Sequence, residues 1–180
     1  MSAIRTAACV TMALARLAEL RLSRRNLRHR GKPVEGRRTR ATYPLIVLLH
    51  TVVIAGTLLR GSVRPRLPWL LALLAVQPLR AWVLILLGDR WNTRAAVPPA
   101  MTVETGGPYR FVRHPNYAVV IVELLALPMA FRLPWLAAGA TIANAALLAV
   151  RIPEEEAALM DLPGYRAHFE ARARFLPGIF

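Results

Sequence analysis

Cysteine is nearly absent. Cys9 is the only one in 180 residues, which excludes an intrachain disulfide framework and any cysteine-based zinc site. Acidic residues are also scarce: 10 Asp and Glu face 24 Lys and Arg, for a formal net charge of +14. No internal repeat or low-complexity segment is evident, and most of the 14 prolines fall at the ends of apolar runs or in loops, where a missing N–H does least harm. Hydrophobic residues make up 56% of the chain. That share is too high for a disordered basic tail and unusual for a soluble nucleic-acid binder. A chain so apolar and so one-sided in charge either neutralises an anionic partner or lies against an anionic membrane surface.

The apolar residues are grouped in blocks of bilayer length. Residues 43–59, 68–88, 117–131 and 134–150 form four runs, and 3–20 forms a mostly apolar block carrying Arg5, Arg16 and Glu19. About 20 apolar residues span a hydrocarbon core, with roughly 17 as the lower limit, so 117–131 is short and must tilt or pair tightly with its neighbour. The block 3–20 leads into more membrane-like sequence, unlike a signal peptide. The expected fold is an all-α integral membrane protein of about five transmembrane helices, forming one domain over 1–180, with a C-terminal helical segment.

Charge placement orients these runs. The segments 21–42, 89–116 and 151–180 hold seventeen basic residues, whereas Arg60, Arg64, Arg66 and Arg132 lie on the other side. The positive-inside rule places the first group in the cytoplasm and the N-terminus outside. In a bacterial cell that means the inner, plasma membrane, with anionic lipid against the basic face. The run from Ser23 to Arg30 would pass as a nucleic-acid-contacting arm in a soluble protein. Between two membrane segments it reads as a solvated juxtamembrane face, and no nucleic-acid partner is expected.

Chemistry concentrates in the polar parts. The segment Glu104-Thr-Gly-Gly-Pro-Tyr-Arg-Phe-Val-Arg-His-Pro-Asn-Tyr117 combines a tight Gly-Gly-Pro turn with a fixed cation, Arg113, and an imidazole, His114. Such a pair suits a carboxylate or phosphate, and Tyr109, Phe111 and Tyr117 could stack on a heterocycle. A basic loop at a membrane face has the same composition without being a site. Asn144, Arg151 and Glu155 follow one another at spacings of seven and four, which puts them on one helical face. Glu156 extends the acidic end, and Glu154 lies on another side. An i,i+4 ion pair is one reading; a polar stripe leading from mid-membrane to a cytoplasmic mouth is the other. Tyr43 and His50 share a face seven apart, and so do Arg16, Glu19, Ser23 and Asn26 at spacings of three, four and three. Arg80 and Glu123 lie inside runs. Ionisable residues within spans are costly and by default line a cavity, so stripes on separate helices point to a shared buried site.

Gly-Pro-Tyr-Arg-Phe-Val-Arg-His-Pro-Asn-Tyr (107–117), Arg151-Ile152 with Glu155-Glu156, Gly164-Tyr165 and Leu176-Pro177-Gly178-Ile179 together resemble the isoprenylcysteine carboxyl methyltransferase family, from about Leu87 onward. These are integral-membrane enzymes that use S-adenosylmethionine. Upstream, Arg16-Leu-Ala-Glu19, Ser23-Arg-Arg-Asn26 and Tyr43 to His50 resemble a small bacterial branch. Some of its members accompany type III polyketide synthases and O-methylate long-chain alkylpyrones or alkylresorcinols. The resemblance implies that Arg113, His114 and Tyr117 hold the cofactor carboxylate, that Glu155 or Glu156 holds its ammonium, and that Tyr109 and Val112 flank the adenosine. It implies a lipophilic acceptor, with Glu19, Asn26, Tyr43 and Asn144 as contacts. Arg151 would steer the acceptor anion, and His50 and Glu123 are the buried candidates for a base. Pro153 inside the second motif and Asp161-Leu-Pro before Gly164-Tyr165 depart from the family pattern without removing a proposed ligand. A carboxyl acceptor of isoprenylcysteine type, a sterol-reductase-like oxidoreductase using NADPH, and a non-enzymatic membrane anchor are the competing readings. Paired carboxylates would serve a dinucleotide phosphate poorly, and an anchor leaves the polar stripes unexplained.

Overall fold

The computed structural model describes residues 3–29, 36–97 and 101–178. It is 75% helical, with no strand among the described residues. Among these residues seven helices follow in order: α1 (Ala3–His29), α2 (Arg37–Arg60), α3 (Leu67–Ala75), α4 (Gln77–Leu87), α5 (Pro115–Ala130), α6 (Pro134–Met160) and α7 (Tyr165–Phe169). Single 3-10 turns occur at Gly88–Arg90 and Gly107–Arg110.

Among the described residues, three stretches are long and apolar enough to cross a membrane: Arg37–Arg60, Leu67–Arg90 and Pro134–Met160. Their most apolar windows are only 11%, 17% and 33% buried within the protein. Ile85, Ile142 and Trp135 stand 80%, 71% and 89% exposed. A water-soluble fold would not present so much apolar surface; lipid covers it, and the chain is a multi-pass membrane protein. Helix α5 is apolar but has only 16 residues. Helix α1 runs nine residues beyond the expected 3–20 block, and α2 begins at Arg37, ahead of Tyr43. The run 68–88 is divided at Val76, because Pro78 next to the junction supplies no N–H. Helix α6 continues past Val150 through Pro153, so the expected cytoplasmic segment from Arg151 starts as helix.

Two ends of the bundle are distinct. At one end the α2–α3 connection meets the α5–α6 connection: Ser62 N–H donates to Phe131 O at 2.8 Å, and Arg66 N–H to Ala130 O at 2.7 Å. Arg5 from the start of α1 donates to Gly61 O there. The apolar core, with Cys9, Val53, Leu73, Leu127 and Phe131, packs on this side. At the other end the residues after α4, the start of α5, the end of α6 and the chain after it come together. There Glu154 of α6 accepts Thr39 N–H at 2.7 Å, Thr39 Oγ1–H at 2.8 Å and Arg38 N–H at 3.3 Å. The start of α2 has no side-chain cap of its own, and this carboxylate satisfies its unpaired donors.

Candidate active site

The polar end is built on two connections. After α4, Asn92 folds the chain over itself: its Oδ1 accepts Arg94 N–H and Ala96 N–H, both at 3.0 Å, and its Nδ2 donates to Ala96 O at 2.8 Å. Three helices hold this loop. From α1, Asn26 Nδ2 donates to Gly88 O and Trp91 O at 3.0 and 2.8 Å, and Ser23 Oγ accepts Thr93 N–H at 3.0 Å. From α2, Tyr43 Oη lies 3.3 Å from Thr93 Oγ1. From α6, Arg151 Nη2 donates to Thr93 O at 2.6 Å.

The second connection carries the Gly-Gly-Pro turn. Gly107 has φ +51, and a Cβ there would meet Trp82 and Leu86 at 3.1 Å, so only glycine fits. Val112 bridges Ala173 in parallel, Arg113 N–H donates to Ala173 O and His114 N–H to Arg174 O, both at 2.9 Å. The C-terminal segment thereby clamps the start of α5. Arg113 Nε donates to Arg172 O at 2.7 Å.

Between these connections, α1, α2 and α6 lies one cavity of about 550 Å³. Of the residues singled out from sequence, Tyr109, Arg113, His114, Tyr117, Arg151, Glu155, Tyr43, His50, Glu19 and Asn144 line it. They come from four helices and the loop before α5, so the stripes do converge. The cavity's wall runs down α2 from Tyr43 to Leu58, sixteen residues, or about 22 Å of helix.

Four of the expected residues stand behind that wall. Asn26 holds the Trp91 loop. Val112 is buried against the C-terminal segment. Glu156 accepts His114 Nε2 at 3.0 Å, Arg174 Nη2 at 2.9 Å and Arg174 Nε at 3.1 Å, with Arg113 Nη1 at 3.4 Å. Glu123 is enclosed by Arg80 Nη1 at 3.3 Å, Arg16 Nη2 at 3.5 Å and Gln77 Nε2 at 3.1 Å. Arg80 also chelates Glu19 through two nitrogens, and Arg16 Nη2 reaches Glu19 Oε1 at 2.9 Å. Two arginines and two glutamates thus form a neutral buried set, which removes most of the cost of charge within the bundle.

At the cavity wall the central hydrogen bonds are Arg151 Nε–H to Tyr117 Oη at 2.8 Å and Tyr117 O–H to Glu155. Burial, with Glu155 and Glu104 nearby, raises the pKa of the Tyr109 phenol, which stays neutral. Burial works against the Glu104 carboxylate, but Gly106 N–H and Arg90, at 2.8 and 2.6 Å, hold its pKa below the ordinary value. Glu156, one and a half turns beyond the apolar part of α6, is likewise opposed by burial. Its bonds from His114 and Arg174 win and bring it down to about 2. The bond to Glu156 in turn raises Arg174.

The Trp91-Asn92-Thr93-Arg94 segment was missed from sequence, although an aromatic and a turn-forming Asn just after an apolar run could have signalled it. Tyr165 and Phe169 also line the cavity and had been given no contact there, while Arg16 of the α1 stripe and Glu104 of the Gly-Gly-Pro segment line it as well.

Residues 69–161, spanning α3 to the end of α6, match the isoprenylcysteine carboxyl methyltransferase family model. The chain belongs to that family. Its members are methyltransferases of membranes, and the matched region carries the Gly-Gly-Pro turn, Arg113-His114, Arg151 and the paired glutamates. A Bacillus subtilis (strain 168) relative named Uncharacterized protein YpbQ is 36% identical over 153 residues, covering 81% of this chain and 90% of the relative. That likeness extends beyond the family-matched region, which is 93 residues long.

Proposed function

We propose that this protein is an S-adenosylmethionine-dependent O-methyltransferase of the inner membrane. Its proposed acceptor is the phenolic or enolic hydroxyl of a long-chain alkylresorcinol or alkylpyrone. The observation that carries this reading is the continuity of one cavity, from a charged, aromatic mouth at Arg113, Tyr117, Arg151 and Glu155 to an apolar wall at Ile54, Ala55 and Leu58. A polar cofactor and a lipid-like acceptor can share it.

The donor set at the mouth fits S-adenosylmethionine. Trp91 Nε1, Asn116 Oδ1 and Tyr165 Oη line the cavity as buried polar atoms without a partner, a supply of hydrogen bonds suited to a nucleoside. Arg113 offers a cation for its carboxylate, and Glu155 an anion for its ammonium. His114 and Glu156 brace Arg113, and Tyr109 and Val112 shape the loop beside the nucleoside. When bound, the cofactor supplies an electrophilic methyl on a sulfonium. The protein supplies orientation, an environment from which water is excluded, and a base for the hydroxyl. Tyr43, Asn144 and Glu19 border the acceptor's path, and Asn26 holds the loop above it. Arg151 is the cation nearest the junction of both sites, His50 the base on the cavity wall, and Glu123 a support behind it. The basic end faces the cytoplasm and anionic lipid, the N-terminus lies outside, residues 1–180 act as one domain, and a type III polyketide synthase supplies the acceptor.

The test is methyl transfer by purified protein in lipid nanodiscs from radiolabelled S-adenosylmethionine. Label on alkylresorcinol or alkylpyrone is expected. Label only on farnesylcysteine analogues would establish the carboxyl-methylating alternative. Calorimetric binding of NADPH, with no response to S-adenosylhomocysteine, would overturn the methyltransferase reading.

A further inference from the structure

The cavity has two polar layers. Ser23, Tyr43 and Arg151 converge on Thr93 at the mouth. Seven residues further along the same three helices stand Arg16, His50 and Asn144, all on the cavity wall. Two turns of helix, about 10 Å, separate the layers. The deeper layer also holds the neutral Arg16, Glu19, Arg80, Glu123 set, far from the mouth and inside the apolar part of the bundle.

Two polar atoms of this layer are buried without a partner: Arg16 Nε and His50 Nε2. They differ in kind. Arginine nitrogen carries only donors. His50 Nδ1 lies 2.9 Å from Ile46 O, and a carbonyl can only accept. The Nδ1 therefore carries the proton, and Nε2 of the neutral ring presents a lone pair. The cavity's lining thus offers an unused cationic N–H from α1 and an unused base from α2.

We infer, resting on the hydroxyl-acceptor reading above, that this deeper layer is the acceptor's head-group site: His50 Nε2 takes the proton of the acceptor hydroxyl and Arg16 Nε–H holds the oxyanion. The balance is simple. The O–H proton moves to His50, the oxygen's electron pair forms the new O–CH₃ bond, and the pair of the broken methyl–sulfur bond stays with the departing thioether. The imidazolium later loses its proton to water. Charge is conserved within the layer, because proton transfer makes one cation and one anion side by side. Glu19, Arg80 and Glu123 are positioning residues: both carboxylates ion-pair with Arg16 Nη2, Arg80 holds the two carboxylates in place, and Nε is left for the acceptor. The charged groups facing His50 are Arg16 from α1, Arg80 from α4 and Glu123 from α5, with neutral Asn144 from α6 on the same wall. An apolar tail then runs past Ile54 and Leu58.

The experiment uses full-length protein in nanodiscs without cofactor and a long-chain 4-alkyl-2-nitrophenol, whose ionisation is visible in its absorbance. Binding to wild type is expected to raise the ratio of ionised to neutral phenol about tenfold at fixed pH, one unit in pKa. His50→Gln and Arg16→Gln should each abolish the increase, and Arg16→Lys should keep part of it. Retained S-adenosylhomocysteine binding shows that each variant is folded, and Arg16→Lys preserves the ion-pair set if Arg16→Gln does not fold. A bound probe whose ionisation is the same in wild type, H50Q and R16K overturns the inference and leaves the hydroxyl-acceptor reading standing. A probe that fails to bind, while S-adenosylhomocysteine binds, overturns both.

Discussion

Arg151 Nε–H donates to Tyr117 Oη at 2.8 Å, and that hydroxyl donates onward to Glu155. A residue of α5 therefore insulates a cation from an anion only four positions away on α6, where the two would otherwise form an i,i+4 ion pair. The phenol bridges the two charges at the cavity wall.

Removing that phenol should collapse the arrangement. Tyr117→Phe is expected to weaken S-adenosylhomocysteine binding by about tenfold or more, since hydrogen bonds to charged groups contribute roughly 1.5–3 kcal/mol. Arg151→Lys should cost at least as much, because one ammonium cannot serve both Tyr117 and Thr93 O in the guanidinium's geometry. Calorimetry that finds both variants within twofold of wild type would remove the pair from the cofactor site.

Stability should depend on the buried ion-pair set far more than on surface pairs. Arg80→Ala leaves Glu19 and Glu123 without their main partner, a loss of about 3–5 kcal/mol by the usual cost of breaking a buried pair. Arg166→Ala removes an exposed pair with Glu170, with side chains 68% and 66% accessible, and should change little. Thermal unfolding in one detergent compares them; equal melting temperatures would show that the set contributes nothing.

Acid should loosen the C-terminal clamp. Glu156 has a folded pKa of about 2 against an ordinary value of 4.5, so its contribution is complete above about 4.5 and is lost as pH falls through 2. Glu156→Gln should be less stable than wild type at neutral pH and show less acid sensitivity between those values. Fluorescence-detected unfolding at a series of pH values tests this, and parallel curves for the two proteins would contradict it.

Gly107 and Gly88 share φ near +51, but a Cβ at Gly88 meets nothing within 4 Å. Gly88→Ala should therefore cost only the strain of a positive-φ backbone (φ +51, ψ −118), about 1–3 kcal/mol. Gly107→Ala adds a clash with Trp82 and Leu86 and should melt lower still, with weaker cofactor binding because the turn carries Tyr109. A Gly107 variant as stable as the Gly88 variant would refute the close-approach argument.

Chain-length preference should follow the wall of α2. Ala55→Phe fills the apolar part of the cavity, so kcat/KM should fall steeply for long-chain acceptors and little for short ones. An unchanged chain-length profile would place the acceptor tail elsewhere.

Much of the site was legible along single helices. A spacing of seven puts two residues on one face whatever surrounds them, so the pairs Tyr43 and His50, and Asn144 and Arg151, could be read without a structure. The apolar runs were equally plain, because about 20 residues without charge have few alternatives to a membrane span. Helix ends were less so: α1 continues through Arg21 to His29 and α6 through Pro153, since contacts at the polar end hold turns that composition alone would end.

Composition and short-range order suffice for the membrane class, the grouping of basic segments and the family motifs. The tertiary structure decided which neighbour does what. Glu155 and Glu156 are adjacent in sequence yet about 100° apart around the helix, so one lines the cavity and the other braces His114 and Arg174. Arg80 and Glu123 looked like isolated charges until α1 brought Arg16 and Glu19 against them. The tautomer of His50 follows from a carbonyl one turn earlier, but the emptiness around its other nitrogen exists only because four helices leave that space open. Local periodicity sets the face a side chain occupies; only packing sets what stands opposite.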